Sequence, residues 1–202
     1  MTVELCDEFD GGFGWIAPGF LERASHAVSV GGGVLVFDAV DAPGIDERIR
    51  DLGRPEAVVQ LLDRHNRDCA SVAARLGVPH LRMRFGGAVS RFELLRVAWN
   101  PAWKEVAFWE PERRVLVVGD ALGTAGYFTA PGERVGVHPF LRLRPPRTLA
   151  GVAPRHVLCG HGAGIHGDEA ASALEEALMT ARRRLPRWLA GQARSRFSRS
   201  SS

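Results

Sequence analysis

Apolar residues fall in short runs separated by polar turns along the whole chain. Residues 22–30 and Val34-Leu35-Val36-Phe37-Asp38 read as two strands joined by Gly31-Gly32-Gly33, the second ending in an acid. Ala42-Pro43-Gly44 is punctuation, and Pro43 stands near the start of a helix that runs through Leu52 and stops at Gly53-Arg54-Pro55. Glu56 to Leu62 reads as a short buried strand. Ala70 to Leu76 reads as a helix closed by Gly77, and Val78-Pro79-His80-Leu81 begins another extended segment. The order β-β-α-β-α-β with short connections predicts an α/β layered domain.

The second half is richer in strand. Arg91 to Trp99 alternates loosely. Glu105 to Trp109 and Arg114 to Val118 flank a turn at Glu110-Pro111-Glu112-Arg113 and predict a hairpin whose second strand runs into Gly119-Asp120. Leu122 to Ala150 is poorly patterned; a connection of that length predicts a lid or an arm, and His138-Pro139-Phe140 lies within it. Arg155 to Cys159 is a strand ending in Gly160-His161-Gly162. Asp168 to Arg184 carries Leu174, Ala177, Leu178 and Ala181 on one helical face. Trp99, Trp103 and Trp109 read as core. The pattern predicts one domain over residues 1–184. A basic tail over 185–202 follows, arginine- and serine-rich from Gln192 and too poor in apolar residues to order itself.

Charge changes the picture once the tail is set apart. The formal net charge is +3, but seven arginines and no acid lie between Ala181 and Ser202, so subtracting them leaves the body at −4. The body therefore offers no nucleic-acid surface. No apolar run approaches a membrane span, and the acidic N-terminus has no signal-like apolar stretch; a cytoplasmic protein without a membrane partner is expected. Cys6, Cys69 and Cys159 are scattered and odd in number, which predicts free thiols rather than a disulfide framework. No pattern fixes an oligomeric state.

Four polar signals end predicted strands: Asp38, the run Asp63-Arg64-His65-Asn66-Arg67-Asp68-Cys69, Gly119-Asp120, and Gly160-His161-Gly162. Strand ends that point the same way would gather acid, thiol and imidazole groups able to hold a divalent metal such as zinc.

In their order and strand contexts these segments resemble the metallo-β-lactamase fold superfamily over roughly residues 22 to 180. Gly33 to Asp38 looks like that family's early strand ending in Asp, and the polar run looks like its His-x-His-x-Asp-His loop. Val115 to Leu122 is similar to the strand bearing its bridging aspartate, and Val157 to Gly162 to the strand bearing its last histidine. The resemblance implies a four-layer α/β/β/α sandwich. It also implies that the first metal site is lost. Arg64 and Asn66 stand where two loop histidines would be, and no histidine lies near Trp99-Asn100-Pro101. A second site would keep Asp68, Cys69, Asp120 and His161 as ligands to a single zinc, with Asp68, Asp120 and His161 as catalytic residues. Arg64 and His65 are expected beside the bound group, His65 off the family's ligand positions as a hydrogen-bonding side chain.

Each residue also has a plainer reading. Asp68 can cap the helix at Cys69, and Cys69 can be a small buried hydrophobe. Asp120 and His161 can pair with each other or with Arg64 in a neutralised network without metal. Three functions follow: a member of the fold without the dinuclear centre and without hydrolase activity, a mononuclear metal-dependent hydrolase, or a metal-free binder of a small anion through Arg64, Arg67 and His161.

Overall fold

The computed structural model of the chain describes residues 4–82 and 92–199, with side chains through 194. A first sheet contains β1 (Glu4–Phe9), β2 (Gly12–Ala17), β3 (Arg23–Val30), β4 (Gly33–Phe37), β5 (Pro55–Gln60) and β6 (His80–Arg82), in that spatial order. Its first four strands are antiparallel. From β4 to β5 and from β5 to β6 the pairing is parallel, which needs crossovers; α1 (Ile45–Leu52) and α2 (Cys69–Leu76) supply them. The second sheet contains β7 (Glu93–Asn100), β8 (Trp103–Glu110) and β9 (Val115–Val118). A small ladder of β10 (Leu122–Gly123) and β11 (Gly136–Val137) follows. Then β12 (His156–Cys159) pairs parallel to β9, and β13 (Ile165–His166) closes the edge. The long helix α3 (Glu169–Arg199) ends the described chain.

Period-two alternation makes four layers of these elements. On β4, Val34 and Val36 face outward against Ile45 and Ile49 of α1 and Val72 of α2. Leu35 and Phe37 face inward against Val106, Phe108 and Val117 of the second sheet, with the Phe37 and Phe108 rings 4.8 Å apart. The outer face of the second sheet, through Leu116, Val118 and Val157, packs on Ala170, Leu174 and Ala177 of α3. The architecture is the expected αββα sandwich.

Two elements differ from the sequence reading. The stretch Leu122 to Ala150 is not a loose lid: Leu122, Val135, Val137 and Leu149 are buried under α3. Within it Arg142, fully buried, donates to both carboxylate oxygens of Glu133 at 2.9 and 2.6 Å. The basic tail is helical to Arg199 rather than unordered. Trp188 Nε1 donates to the Tyr127 carbonyl at 2.7 Å and Gln192 Nε2 to the Gly126 carbonyl at 2.9 Å, so two polar anchors hold a segment that has little apolar surface to bury. Arg91, expected to open β7, lies outside the described residues, as do Ser200 to Ser202.

The hairpin β1–β2, unread in the sequence, welds the sheets at one edge. Asp7 on β1 is buried and accepts the Gly164 N–H at 2.8 Å and a proton of His166 Nε2 at 2.9 Å, both near β13. The opposite seam is backbone. Val106 N donates to Leu61 O and Asp63 N to Lys104 O, so the segment after β5 pairs with β8. Ala24 N donates to Gly160 O, and Gly162 N to Glu22 O, so the end of β12 is tied to the start of β3. These ties fix the strand ends that carry the polar signals.

Candidate metal centre at the strand ends

Asp38, His65, Asp120 and His161 all follow the carboxyl ends of mutually parallel strands: β4 and β5 in one sheet, β9 and β12 in the other. Crevices outside such ends are the usual ligand sites of α/β sheets. Here the two sheets bring their ends together at one point.

His65 Nδ1 lies 2.8 Å from Asp38 Oδ2, and its Nε2 lies 2.7 Å from Asp120 Oδ1. His161 Nδ1 donates to the Leu21 carbonyl at 2.6 Å, and its Nε2 lies 3.0 Å from the same Asp120 Oδ1. One ligand atom from each of His65, Asp120 and His161 falls within 4.8 Å of the others. All three are buried or nearly so; the Asp120 side chain is 13% exposed, which leaves one open side.

Local sequence explains the convergence. Asp38 adopts a left-handed φ of 47°, which Asp tolerates better than most residues, and its Oδ1 accepts the Leu61 N–H at 3.0 Å. That bond draws the loop after β5 toward β4 and leaves Oδ2 for His65. Gly160 is required because a Cβ there would stand 2.8 Å from the Gly119 carbonyl and 3.1 Å from His65 Cε1. Gly162, at φ 84°, lies where a Cβ would strike Thr124 Oγ1 at 2.2 Å. The glycines around His161 therefore let the strand end close on its neighbours.

Electrostatics follow from the geometry. Burial opposes ionisation of Asp120, but hydrogen bonds from His161 and His65 hold its carboxyl well below the usual carboxylate range. Burial would lower the His65 pKa; Asp38 and Asp120 outweigh it and push it up to about 9. Glu105 of β8 is fully buried and accepts from Trp103 Nε1 at 2.7 Å and Ala121 N at 3.0 Å; burial and the charge of Asp120 raise it to about 7.

The four expected metal ligands are not assembled. Asp120 and His161 meet, but Asp68 turns away and accepts the Asp41 N–H at 2.8 Å. It occupies the N-cap position of α2 without a side-chain cap bond. Cys69 is fully buried in the layer between the first sheet and α2, with Ala39 O and His65 O as its thiol's polar neighbours. Burial pushes that thiol up to about 12, in keeping with an unreactive packing cysteine. The helix begins at Cys69, so its side chain is committed to the α2 packing face. His65, expected off the ligand positions, is the loop side chain that reaches Asp120. Asp38, one of the four strand-end signals, turns His65 inward, as an acid at the end of the neighbouring strand in reach of its imidazole. Cys69→Ala is therefore expected to leave metal content unchanged while costing about 1 kcal/mol of stability in a urea melt. Loss of metal in that variant would restore Cys69 as a ligand.

Arg64 lies at the open side. Its guanidinium carbon lies over the Trp103 ring, 4.3 Å from the centre, Nη1 donates to Ala102 O at 3.1 Å, and Nε stands 3.6 Å from Asp120 Oδ2. Arg67 is below the cluster and donates to Asp38 O at 2.9 Å, Gly160 O at 2.8 Å and Ala24 O. His166, with Asp7 and His156, belongs to the far seam.

Two sheets face to face with helices on both outer faces are the architecture of the metallo-β-lactamase fold. The sequence matches no family model and no curated protein. The structure is similar to a metallo-β-lactamase from Pontibacter korlensis, at 10% identity over 88% of this chain and 99% of that one, TM-score 0.59. It is also similar to the metallo-β-lactamase FIM-1 from Pseudomonas aeruginosa in its mono-zinc form, at 11% identity over 90% and 97%, TM-score 0.56. A third is a diflavin flavoprotein fragment from Nostoc, at 14% identity over 92% and 98%, TM-score 0.58. These likenesses establish the fold. No helix among the described residues is long and apolar enough to cross a membrane.

Proposed function

We propose that this chain holds one divalent metal ion, zinc being the first choice, at His65, Asp120 and His161, and works as a mononuclear hydrolase. The carrying observation is the anchoring of both imidazoles. A metal-ligating histidine commonly donates its other ring N–H to a carboxylate or a carbonyl, which fixes tautomer and orientation. His65 Nδ1 has Asp38 and His161 Nδ1 has Leu21 O, so both Nε2 atoms converge on Asp120 Oδ1. Two imidazoles, a carboxylate and an open side match a catalytic centre, since structural zinc is usually closed by four protein ligands. When bound, such an ion supplies Lewis acidity toward an ester or phosphoester oxygen and makes water a stronger acid.

The chain's own residues do the rest. Asp38 holds the His65 ring in the plane that aims Nε2 inward. Leu21 O does the same for His161. Asp120 gathers both nitrogens, and Trp103, Phe128 and His138 shield the flank. Phe128 stacks on His161 at 5.2 Å and 23°. With Arg64 and Asn66 at the other ligand positions of the resemblance, a dinuclear centre is not part of this reading.

Arg64 and Arg67 favour a second reading, in which the cluster is neutralised by its own cations and binds no metal. His65 with both nitrogens on carboxylates is then a stable imidazolium. Elemental analysis of zinc-supplemented protein separates the two. One zinc per chain is expected, absent from His65→Ala and retained in Asp68→Ala, with ester hydrolysis lost on chelation. Zinc-free wild-type protein would sink the metal reading and leave the neutralised cluster.

A further inference from the structure

Beside the cluster, near Asp120 Oδ2, Trp103 meets one guanidinium and one imidazole, and three further aromatic rings pack on that imidazole. The Arg64 guanidinium lies over the indole, with its Cζ 4.3 Å from the ring centre. His138 stands edge-on to the same indole, centroids 4.7 Å apart at 86°. Phe128 and Tyr127 lie 5.5 and 5.9 Å from the His138 ring, and Phe140, 81% exposed, lies 5.3 Å away.

Two facts give this wall a polarity. His138 Nδ1 accepts the Phe140 N–H at 3.3 Å, so in the neutral ring the proton sits on Nε2. Burial holds that ring neutral, with its pKa pushed down to about 4. The Nε2–H has no hydrogen-bond partner among the described residues. Arg64 is half-exposed, and its bonds to Ala102 O and toward Asp120 use Nη1 and Nε, leaving the Nη2 donors without a protein partner there. Two donors, one charged, thus flank an indole with further rings beside them. Trp103 itself is held by Glu105, which accepts its Nε1 proton at 2.7 Å, so the stack is anchored from the core.

We infer that Arg64, Trp103 and His138 form a subsite for the anionic group of a planar substrate, an aryl carboxylate or an aryl phosphate, beside the His65–Asp120–His161 centre. A guanidinium held over an aromatic face presents its charge and its Nη2 donors in a fixed direction to an anionic oxygen, which a flexible lysine on the same site does not. The exposed Phe140 ring beside these groups would receive the substrate's aryl body by stacking, while the buried Trp103 and Phe128 rings form the floor. As a substrate subsite this rests on the hydrolase reading above; as a binding site it stands without a metal.

Calorimetry with phenyl phosphate, benzoate, inorganic phosphate and benzamide tests it on the full chain, zinc-loaded and chelator-treated in parallel. Phenyl phosphate and benzoate are expected to bind in both states, and the tighter of the two identifies the class. Inorganic phosphate should bind at least tenfold more weakly, and neutral benzamide should not bind. Arg64→Gln and His138→Gln should each weaken binding tenfold or more without changing zinc stoichiometry, and Arg64→Lys should recover only part. Because His138 is buried, Arg64→Gln, at a half-exposed position, is the decisive variant. Binding unchanged by Arg64→Gln, or present only with zinc and indifferent to Arg64, overturns the subsite. Absent zinc with Arg64-dependent anion binding overturns the hydrolase reading alone.

Discussion

Asp120→Ala is expected to cost about 3–5 kcal/mol of unfolding free energy and to abolish metal binding, the scale of removing one partner from a buried ionic cluster. Asp120 Oδ1 is the meeting point of His65 and His161, and Oδ2 faces Arg64. Without it three basic groups are left facing one another with Asp38 as the remaining acid in contact with His65. Asp120→Asn separates charge from shape, because the amide oxygen can still accept a hydrogen bond where Oδ1 does. The sign of the pH effect distinguishes the two. The folded pKa of Asp120 lies below its ordinary value of 3.8. Its stabilisation is therefore complete above that value and is lost as pH falls through and below it. Urea midpoints measured from pH 6 downward should fall more steeply for wild type than for Asp120→Asn, while the variant starts lower at pH 6. Parallel profiles would show that Asp120 is not the charge that holds the cluster.

The fold was readable because a strand buried on both faces is an unbroken apolar run between turn signals. Val34 to Phe37 is such a run, serving a helix-facing and a sheet-facing side, and the glycines around His161 stand where strand ends close on one another. The β1–β2 hairpin was not readable. Its contribution rests on Asp7, whose partners Gly164 and His166 lie more than 150 residues away. The site was half readable. Asp120 and His161 sit directly on strand ends, and their direction follows from the strands. The polar run after β5 is a loop, and position in a loop does not determine which side chain turns inward. Tertiary bonds decide it: Asp38 draws His65 in, Asp41 N takes Asp68, and the apolar face of α2 takes Cys69. Trp103, read as core, is buried but also carries Arg64, a pairing across 39 residues with no local signal.

Arg67 is the other residue on which the centre depends. Its backbone has a left-handed φ of 39°, unfavourable for a long side chain and sustained only when the surroundings fix it. What fixes it is a set of carbonyls: Asp38 at the end of β4, Gly160 at the end of β12 and Ala24 in β3 all accept from its guanidinium. One side chain thus joins both sheets immediately beneath His65 and His161. Burial opposes its charge, and Asp38 and Asp120 sustain it. Arg67→Met keeps much of the volume but removes the donors and the charge. It is expected to cost about 3 kcal/mol or more, since buried acceptors lose charge-assisted donors and Asp38 loses a counter-charge. Gly160 O and Asp38 O keep Ala24 N and Ser25 Oγ as donors, which limits the loss and should leave a folded protein. The centre should suffer more than the fold. With the strand ends no longer tied, the two Nε2 atoms lose their shared aim at Asp120, and zinc affinity should fall tenfold or more, on the scale seen when groups supporting metal ligands are removed. Arg67→Lys, a point charge that cannot reach three carbonyls in a fork, should recover stability better than zinc affinity. Equal recovery of both would mean that Arg67 acts through charge alone and not by joining the strand ends.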